Sequence, residues 1–252
     1  MFSKAGTYPA CGIFSIEHII FMIICFILVI LACVFTRKIK KEQFNKITKI
    51  AAIVFTTLEI IKIIFNWYHY GFKSINNYIP LHYCSLFIYS LWMAGFFKGF
   101  IKKIGESFLA GGCILAGAFF LISPSSSLTI YPVFHFLSIH SMFYHSVMLY
   151  FGLMYFIKGF FDYSIKNYLY YVIYCSIFCI IAFILNLTTD ANFMFMDNPW
   201  GFDNIPILKF LIDIHKVAPL VYALIIFIVY LLLYLPTYGL QKLIIRGGKK
   251  ND

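Results

Sequence analysis

The chain has 252 residues, of which 62% are hydrophobic and only 12% are charged. Its mean hydropathy of +0.87 excludes an ordinary soluble domain and indicates an integral membrane protein. The formal net charge of +10 does not indicate a nucleic-acid partner, because the basic residues fall in short connections between apolar segments.

Seven apolar segments follow one another along the chain, at about 14–35, 48–68, 80–97, 108–122, 134–157, 168–187 and 218–238. The predicted fold is therefore an all-α membrane protein, a polytopic bundle of seven transmembrane helices forming a single domain over residues 1–252. The first segment lacks a small-residue cleavage site and is expected to be a retained span. The fourth is short and contains Gly111, Gly112 and Gly117, which favours close packing against neighbouring helices.

Basic residues are concentrated in every second connection and after the last segment. One side of the membrane carries 15 of the 20 lysines and arginines: Arg37, Lys38, Lys40, Lys41, Lys46, Lys49, Lys98, Lys102, Lys103, Lys158, Lys166, Lys242, Arg246, Lys249 and Lys250. The other side has only Lys4, Lys73, Lys209 and Lys216. The positive-inside rule then predicts a multi-pass protein of the cell membrane with its amino terminus outside and its carboxyl terminus in the cytoplasm.

This orientation collects the polar side chains in the outer half of the bundle. All seven histidines lie there: His18, His69, His82, His135, His140, His145 and His215. Glu59 and Lys62 are three residues apart on one helix face and can neutralise each other. Such a pair is either structural or orients a catalytic histidine, and the sequence leaves both open.

The histidines of the fifth segment do not form a metal site on their own helix. His135, His140 and His145 follow one another in steps of five residues, about 140° per step, so they cannot share one face. Neither a metal nor a cofactor is expected. Cys175 and Cys179 do share a face of the sixth segment, but without charged neighbours they are expected to be packing residues.

The stretch from Ile79 to Phe87 combines His82, Cys84 and Ser85 at the start of the third segment. A thiol nucleophile needs a base to form the thiolate. On a helix, residues two positions apart point in directions that differ by about 200°. His82 is therefore poorly placed to be that base for Cys84. A histidine of the fifth segment is the better candidate, although a lone membrane cysteine is also a common core residue.

The loop 190–203 mixes aromatic residues, methionines and three aspartates before the last segment. It is expected to fold back over the bundle. An interfacial aromatic belt and an active-site lid explain this composition equally well.

Three stretches resemble the YwaF family of bacterial membrane proteins, which is grouped with eukaryotic transmembrane protein 164. They are "IPLHYCSLFIY" around Pro80, "FYHSVMLYFGLMY" in the fifth segment and "LNLTTDANFMFMDNP" before the last segment. The resemblance covers roughly residues 48–236. The sequence differs from the eukaryotic pattern around the thiol, where His82 precedes Cys84 instead of following it.

The resemblance implies an acyltransferase that moves a fatty acyl chain onto a lysophospholipid, with a membrane cysteine and histidine that match Cys84 and His145. Phospholipid or lysophospholipid substrates follow from it, and water as acceptor would make the protein a lipid ester hydrolase. The supporting or orienting residues would be His82, His140, Glu59, Ser85 and Asn186, with an asparagine or backbone donor for the oxyanion. The alternative is a non-enzymatic bundle that binds or transports a small solute through an outward polar pocket.

Overall fold

The computed structural model describes residues 1–72, 75–199 and 209–248, and within these residues all regular structure is helical. The predicted all-α class is confirmed. The helices are α1 (Ile16–Thr36), α2 (Lys41–Tyr70), α3 (Leu86–Phe96), α4 (Gly99–Gly111), α5 (Cys113–Ile122), α6 (Phe136–Lys158), α7 (Ile165–Thr188), α8 (Lys209–Val217), α9 (Pro219–Leu232) and α10 (Leu235–Gly248). Two short 3-10 turns lie at Ile75–Asn77 and Phe193–Phe195.

Four helical segments are long and apolar enough to cross a membrane. They are α1, the continuous α4 and α5 (Gly99–Ile122), α7, and the segment Pro219–Leu243 of α9 and α10. Their outward faces are apolar, as in α1, where Ile20, Ile24 and Leu28 are all exposed. A membrane protein is therefore supported by both composition and structure.

Side chains define where several helices begin. Ser15 caps α1 by accepting a hydrogen bond from the backbone N–H of His18 at 3.1 Å, and Ser164 caps α7 by accepting from Asn167. His135 does the same for α6, because its Nδ1 accepts from the Leu137 N–H at 3.2 Å. α6 ends at Gly159, whose φ of +61° is the left-handed conformation that glycine adopts easily.

The centre of the bundle is formed by α3, α4, α5 and α6. α5 packs on α6, α3 on α4, and α2 on α3, while α1 and α7 lie against this centre. The close packing predicted for the glycine-rich segment is confirmed at Gly117. A Cβ there would lie 2.8 Å from the carbonyl oxygen of His145, so only glycine allows α5 to approach α6 this closely.

Three predicted boundaries were wrong, and one helix was missed. The second helix begins at Lys41 rather than at about residue 48. The third helix begins at Leu86, so His82, Cys84 and Ser85 lie in a turn before it. The fourth helical segment reaches back to Gly99. It includes basic residues that suggested a connection, and there Glu106 lies 3.9 Å from both Lys41 and Lys102. α8 was not predicted as a helix at all.

The two ends of the bundle are held by different hydrogen bonds. At the basic end, Lys158 donates to the carbonyl of Arg37 at 2.6 Å, and Lys41 donates to the carbonyl of Phe160 at 2.7 Å. The opposite end is called the histidine end here. There the first residues of the chain fold over the ends of α2 and α6, and Ala5 N–H donates to the Tyr70 hydroxyl at 2.9 Å.

Candidate functional site

The segment before α3 winds tightly into the helix. Backbone N–H groups of Ser85, Leu86 and Phe87 donate to the carbonyls three residues earlier, at 2.9, 3.2 and 3.1 Å. The prediction that His82 and Cys84 point apart assumed an α-helix, which these residues do not form. Cys84 is partly buried, and the neighbouring Ser85 is buried.

Tyrosines hold this segment against the rest of the bundle. The hydroxyl of Tyr83 lies 2.7 Å from that of Tyr171 on α7, and its ring stacks on Tyr230 of α9 with centroids 4.8 Å apart. Tyr144 of α6 donates its hydroxyl hydrogen bond to the carbonyl of Cys84 at 3.0 Å. Tyr144 was missed from the sequence, although it directly precedes His145 in one of the matched stretches.

Two histidines have both ring nitrogens engaged in structural hydrogen bonds. His18 accepts from the Phe14 N–H at 2.9 Å and lies 3.1 Å from the Leu121 carbonyl, which links α1 to α5. His135 caps α6 with one nitrogen and holds the carbonyl of Ser3 at 2.9 Å with the other. Both histidines are buried, and these hydrogen bonds account for their presence in the core without a catalytic role.

His82, His140 and His145 differ from these two. Within the described residues, His82 Nδ1 and His140 Nε2 are buried and have no hydrogen-bond partner. His145 Nδ1 lies 2.7 Å from the Ser141 carbonyl oxygen and must donate to it. The neutral His145 ring therefore carries its proton on Nδ1, and Nε2 can accept one.

His140 and His145 lie on different faces of α6. The ring of His145 stacks on Phe120 of α5 with centroids 3.5 Å apart. His140 shares its face with Tyr144, one helical turn further along, and their rings are 6.0 Å apart. The face of α6 that contacts the Cys84 segment is thus the one that carries His140 and Tyr144. His145 lies beside this face, on the side of α6 that packs against α5.

Glu59 and Lys62 form the ion pair expected from their spacing, with the carboxylate and ammonium 2.6 Å apart. Glu59 is buried, while 28% of the Lys62 side chain is exposed. The contact itself is confirmed, and it neutralises two charges that would be costly apart in a membrane.

The loop after α7 folds back over His82. The rings of Phe193 and Phe195 lie 6.1 and 5.1 Å from the His82 ring. Met194 and Phe195 have φ of +57° and +52°, a conformation that non-glycine residues rarely adopt. The fold-back is as predicted for residues 190–199, while residues 200–203 of that loop lie outside the described residues.

Hydrogen bonds from three helical side chains hold this strained turn. Asn186 accepts from the Phe193 N–H at 2.8 Å and donates to the Phe193 carbonyl at 3.0 Å. Tyr222 and Tyr230 donate to the carbonyls of Phe195 and Met194 at 2.6 and 2.8 Å. The oxygen and one N–H of the Asn186 amide are thus engaged by the loop, so in this conformation Asn186 holds the loop against the end of α7.

The other cysteines and the acidic residues form no second chemical site in the described part of the chain. All seven cysteines are free thiols, and Cys175 and Cys179 are buried in α7 as packing residues. Residues 1–72, 75–199 and 209–248 contain no group of three or more His, Cys, Asp or Glu side chains that could hold a metal ion.

Comparison with known families gives one match, to the TMEM164 family over residues 13–235. The chain belongs to the TMEM164 family. The resemblance found in the three sequence stretches is therefore confirmed, and the matched region contains both Cys84 and His145. No curated protein and no solved structure matches the chain.

The TMEM164-family region coincides with the bundle that surrounds the site. It begins just before α1 and ends at the start of α10, so it includes every helix that contacts the Cys84 segment. Family membership by itself assigns no role to any residue of this chain.

Proposed function

We propose that this protein is a membrane-embedded acyltransferase or lipid ester hydrolase with Cys84 as its nucleophile and a histidine of α6 as its base. The observation that carries the proposal is the Tyr144 hydrogen bond to the Cys84 carbonyl. It ties the thiol-bearing turn to the helix on which His140 and His145 each keep a nitrogen available. Nucleophilic catalysis requires the nucleophile and its base to be held close together, and this hydrogen bond holds the Cys84 turn against α6.

The reaction would proceed in two steps. In the first, the thiol proton moves to the histidine, the sulfur attacks the ester carbonyl of a phospholipid, and the leaving alcohol takes the proton from the histidine. In the second, a lysophospholipid hydroxyl or water gives its proton to the histidine and attacks the thioester, and the departing Cys84 sulfur takes that proton back from the histidine. The alcohol acceptor makes the protein a transferase and water makes it a hydrolase.

His145 is the base that family resemblance favours, and its tautomer suits the role because Nε2 is the unprotonated nitrogen. His140 is the second candidate, since it lies on the Tyr144 face and its Nε2 is buried without a partner in the described residues. Separate His145→Asn and His140→Asn variants distinguish them, because only the variant that lacks the base should lose acyl-enzyme formation.

A seven-span topology accompanies this proposal, with the histidine end outside and the basic end in the cytoplasm. The basic end joins the α1 to α2 connection with the residues after α6, through Lys158 and Lys41. The α1 to α2 connection contains Arg37, Lys38 and Lys40, and Lys158 and Lys166 flank the α6 to α7 connection, which supports a cytoplasmic location. The site would then face lipids of the outer leaflet. Lys73, Lys249 and Lys250, which entered the charge count, lie outside the described residues.

The test is lipid turnover by the full-length protein in liposomes that contain phospholipid with a labelled acyl chain, with and without added lysophospholipid. We expect Cys84→Ala to abolish turnover and Cys33→Ala to leave it unchanged, since Cys33 is also a partly buried thiol but lies on α1, away from the site. Mass spectrometry should find a hydroxylamine-sensitive acyl group on Cys84. Turnover that survives Cys84→Ala contradicts the proposal.

A further inference from the structure

An ion pair lies on the face of α2 that is turned toward the candidate site. Phe55, Glu59 and Lys62 are spaced by four and three residues, so they form one stripe along the helix. The position of the stripe is fixed by Phe55, whose ring lies 5.2 Å from Tyr144 of α6 and 5.6 Å from Phe87 of α3. The pair therefore continues the surface that meets the Cys84 turn.

Ring contacts also fix the depth of the ion pair. At the histidine end, Phe65 of α2 lies 5.7 Å from Phe136 of α6. Nearer the middle of the bundle, Phe55 meets Tyr144, so the two helices run antiparallel. The ion pair lies between these two levels on α2, and His140 lies between them on α6. The unpartnered Nε2 of His140 is thus at the level of the pair.

The packing of α2 against α3 places the pair beside the Cys84 turn. Gly95 of α3 lies against Lys49 of α2, and Phe87 of α3 meets Phe55 of α2, so the two helices run antiparallel. Glu59 and Lys62 follow Phe55 on α2 and therefore lie at the level of the residues that precede α3. The titratable groups around Cys84 and Lys62 are Glu59 from α2, Tyr144, His140 and His145 from α6, Tyr230 from α9, and His82 from the turn itself. Lysine ordinarily carries a positive charge at neutral pH, and Lys62 is the lysine that lies among these groups.

We propose that Lys62 is the electrostatic partner of Cys84, stabilising the thiolate and the tetrahedral oxyanion, and that Glu59 limits this effect. The inference rests on the proposed function for the oxyanion, but the effect on the thiolate requires no substrate. In a site with few water molecules, a fixed cation favours an anion far more strongly than it does in bulk water. Glu59 reduces the cost of keeping Lys62 charged in the membrane and lowers the net positive field at the sulfur.

The test is the pH profile of Cys84 alkylation by iodoacetamide in the full-length protein, quantified at Cys84 by mass spectrometry. We expect Lys62→Gln to move the midpoint upward by about one pH unit, since it removes an opposite charge near the thiolate. Lys62→Arg should restore the midpoint. Glu59→Gln should move it downward, because the lysine charge is then uncompensated.

The opposite signs separate electrostatics from structure. If the pair only held α2 in place, both neutral variants would change Cys84 accessibility in the same direction, and Lys62→Arg would not rescue the midpoint. The matched control is Lys216→Gln, which breaks the exposed pair with Asp213 at the same three-residue spacing and 3.7 Å. It should leave the profile unchanged.

Shifts of the same sign, or no shift in Lys62→Gln, overturn the inference. Should Glu59→Gln not fold, the Lys62→Gln and Lys62→Arg comparison still decides it. Failure of this inference and of the proposed function remain distinguishable. If the midpoints shift as expected but lipid turnover survives Cys84→Ala, the proposed enzymatic function is wrong and the electrostatic role of Lys62 is retained. If Cys84→Ala abolishes turnover but the midpoints do not shift, the enzymatic function is retained and the role of Lys62 is wrong.

Discussion

Gly117 offers the sharpest test of how the bundle positions the α6 histidines. In Gly117→Ala the new Cβ would lie 2.8 Å from the His145 carbonyl oxygen, 2.8 Å from the Leu149 nitrogen and 2.9 Å from the Leu149 Cβ. Ordinary contacts of this kind begin at about 3.4 Å, so α5 and α6 must separate by about 0.6 Å. Two of these atoms are backbone, so a side-chain rotation cannot relieve the clash.

Overpacking of this kind costs about 1–3 kcal/mol, which corresponds to a fall in Tm of about 2–12 °C for a chain of this size. Thermal unfolding of the purified protein in detergent measures it. The matched control is Gly239→Ala in α10, where a Cβ meets no atom within 4 Å, and the Tm should be unchanged or slightly higher. If the protein is the proposed acyltransferase, acyl transfer should also fall in Gly117→Ala, because His145 moves with its carbonyl. Equal Tm values for the two variants would refute the close approach of α5 and α6.

Two further predictions concern the hydrogen bonds around Cys84 and His82. Tyr144→Phe should cost about 0.5–1.5 kcal/mol of stability and lower lipid turnover, whereas Tyr163→Phe, which removes a similar bond to the Ala110 carbonyl at 3.1 Å, should affect stability alone. Equal turnover in the two variants would contradict a role for Tyr144. Asn186→Ala leaves the backbone N–H of buried Phe193 unpaired, at about 1–3 kcal/mol, while the Phe193 carbonyl still accepts from the Met196 N–H at 3.2 Å. Limited proteolysis should therefore cleave residues 190–199 faster than in the unmodified protein. An unchanged cleavage rate would mean that the tyrosines alone hold the loop.

Apolar periodicity predicted the helical class well, because a helix in lipid needs a long uninterrupted apolar surface. It failed where charges are paired within the bundle. Lys102 and Glu106 made the start of the fourth segment resemble a connection, yet the two lie 3.9 Å apart on one helix. A hydropathy count treats these charges as exposed and cannot recognise a pair that is partly neutralised by folding.

The candidate site was harder to predict than the helices. The residues alone indicated Cys84 as a candidate nucleophile with a base on the fifth segment, and resemblance narrowed that base to His145. The Glu59 and Lys62 contact followed from three-residue spacing. The role of Tyr144 did not follow, since a hydrogen bond between residues 60 apart depends on how α6 crosses the Cys84 turn. Likewise, the histidines all looked alike in sequence, and only their hydrogen-bond partners separate structural His18 and His135 from the rest.

The packing beneath the ion pair bears on the choice between an enzyme and a transport bundle. A transported solute or proton needs a polar route from the Glu59 and Lys62 pair to the basic end. Toward that end, aromatic rings succeed one another at centroid distances of 5.6, 5.6 and 5.3 Å, and each is at most 2% exposed: Phe55, Phe87, Phe151 and Phe44. These buried rings form an aromatic column between the ion pair and the basic end. Such a column is expected for the proposed lipid enzyme, whose ester would enter and leave from one side of the membrane, rather than for the transport alternative, which requires polar groups along that route.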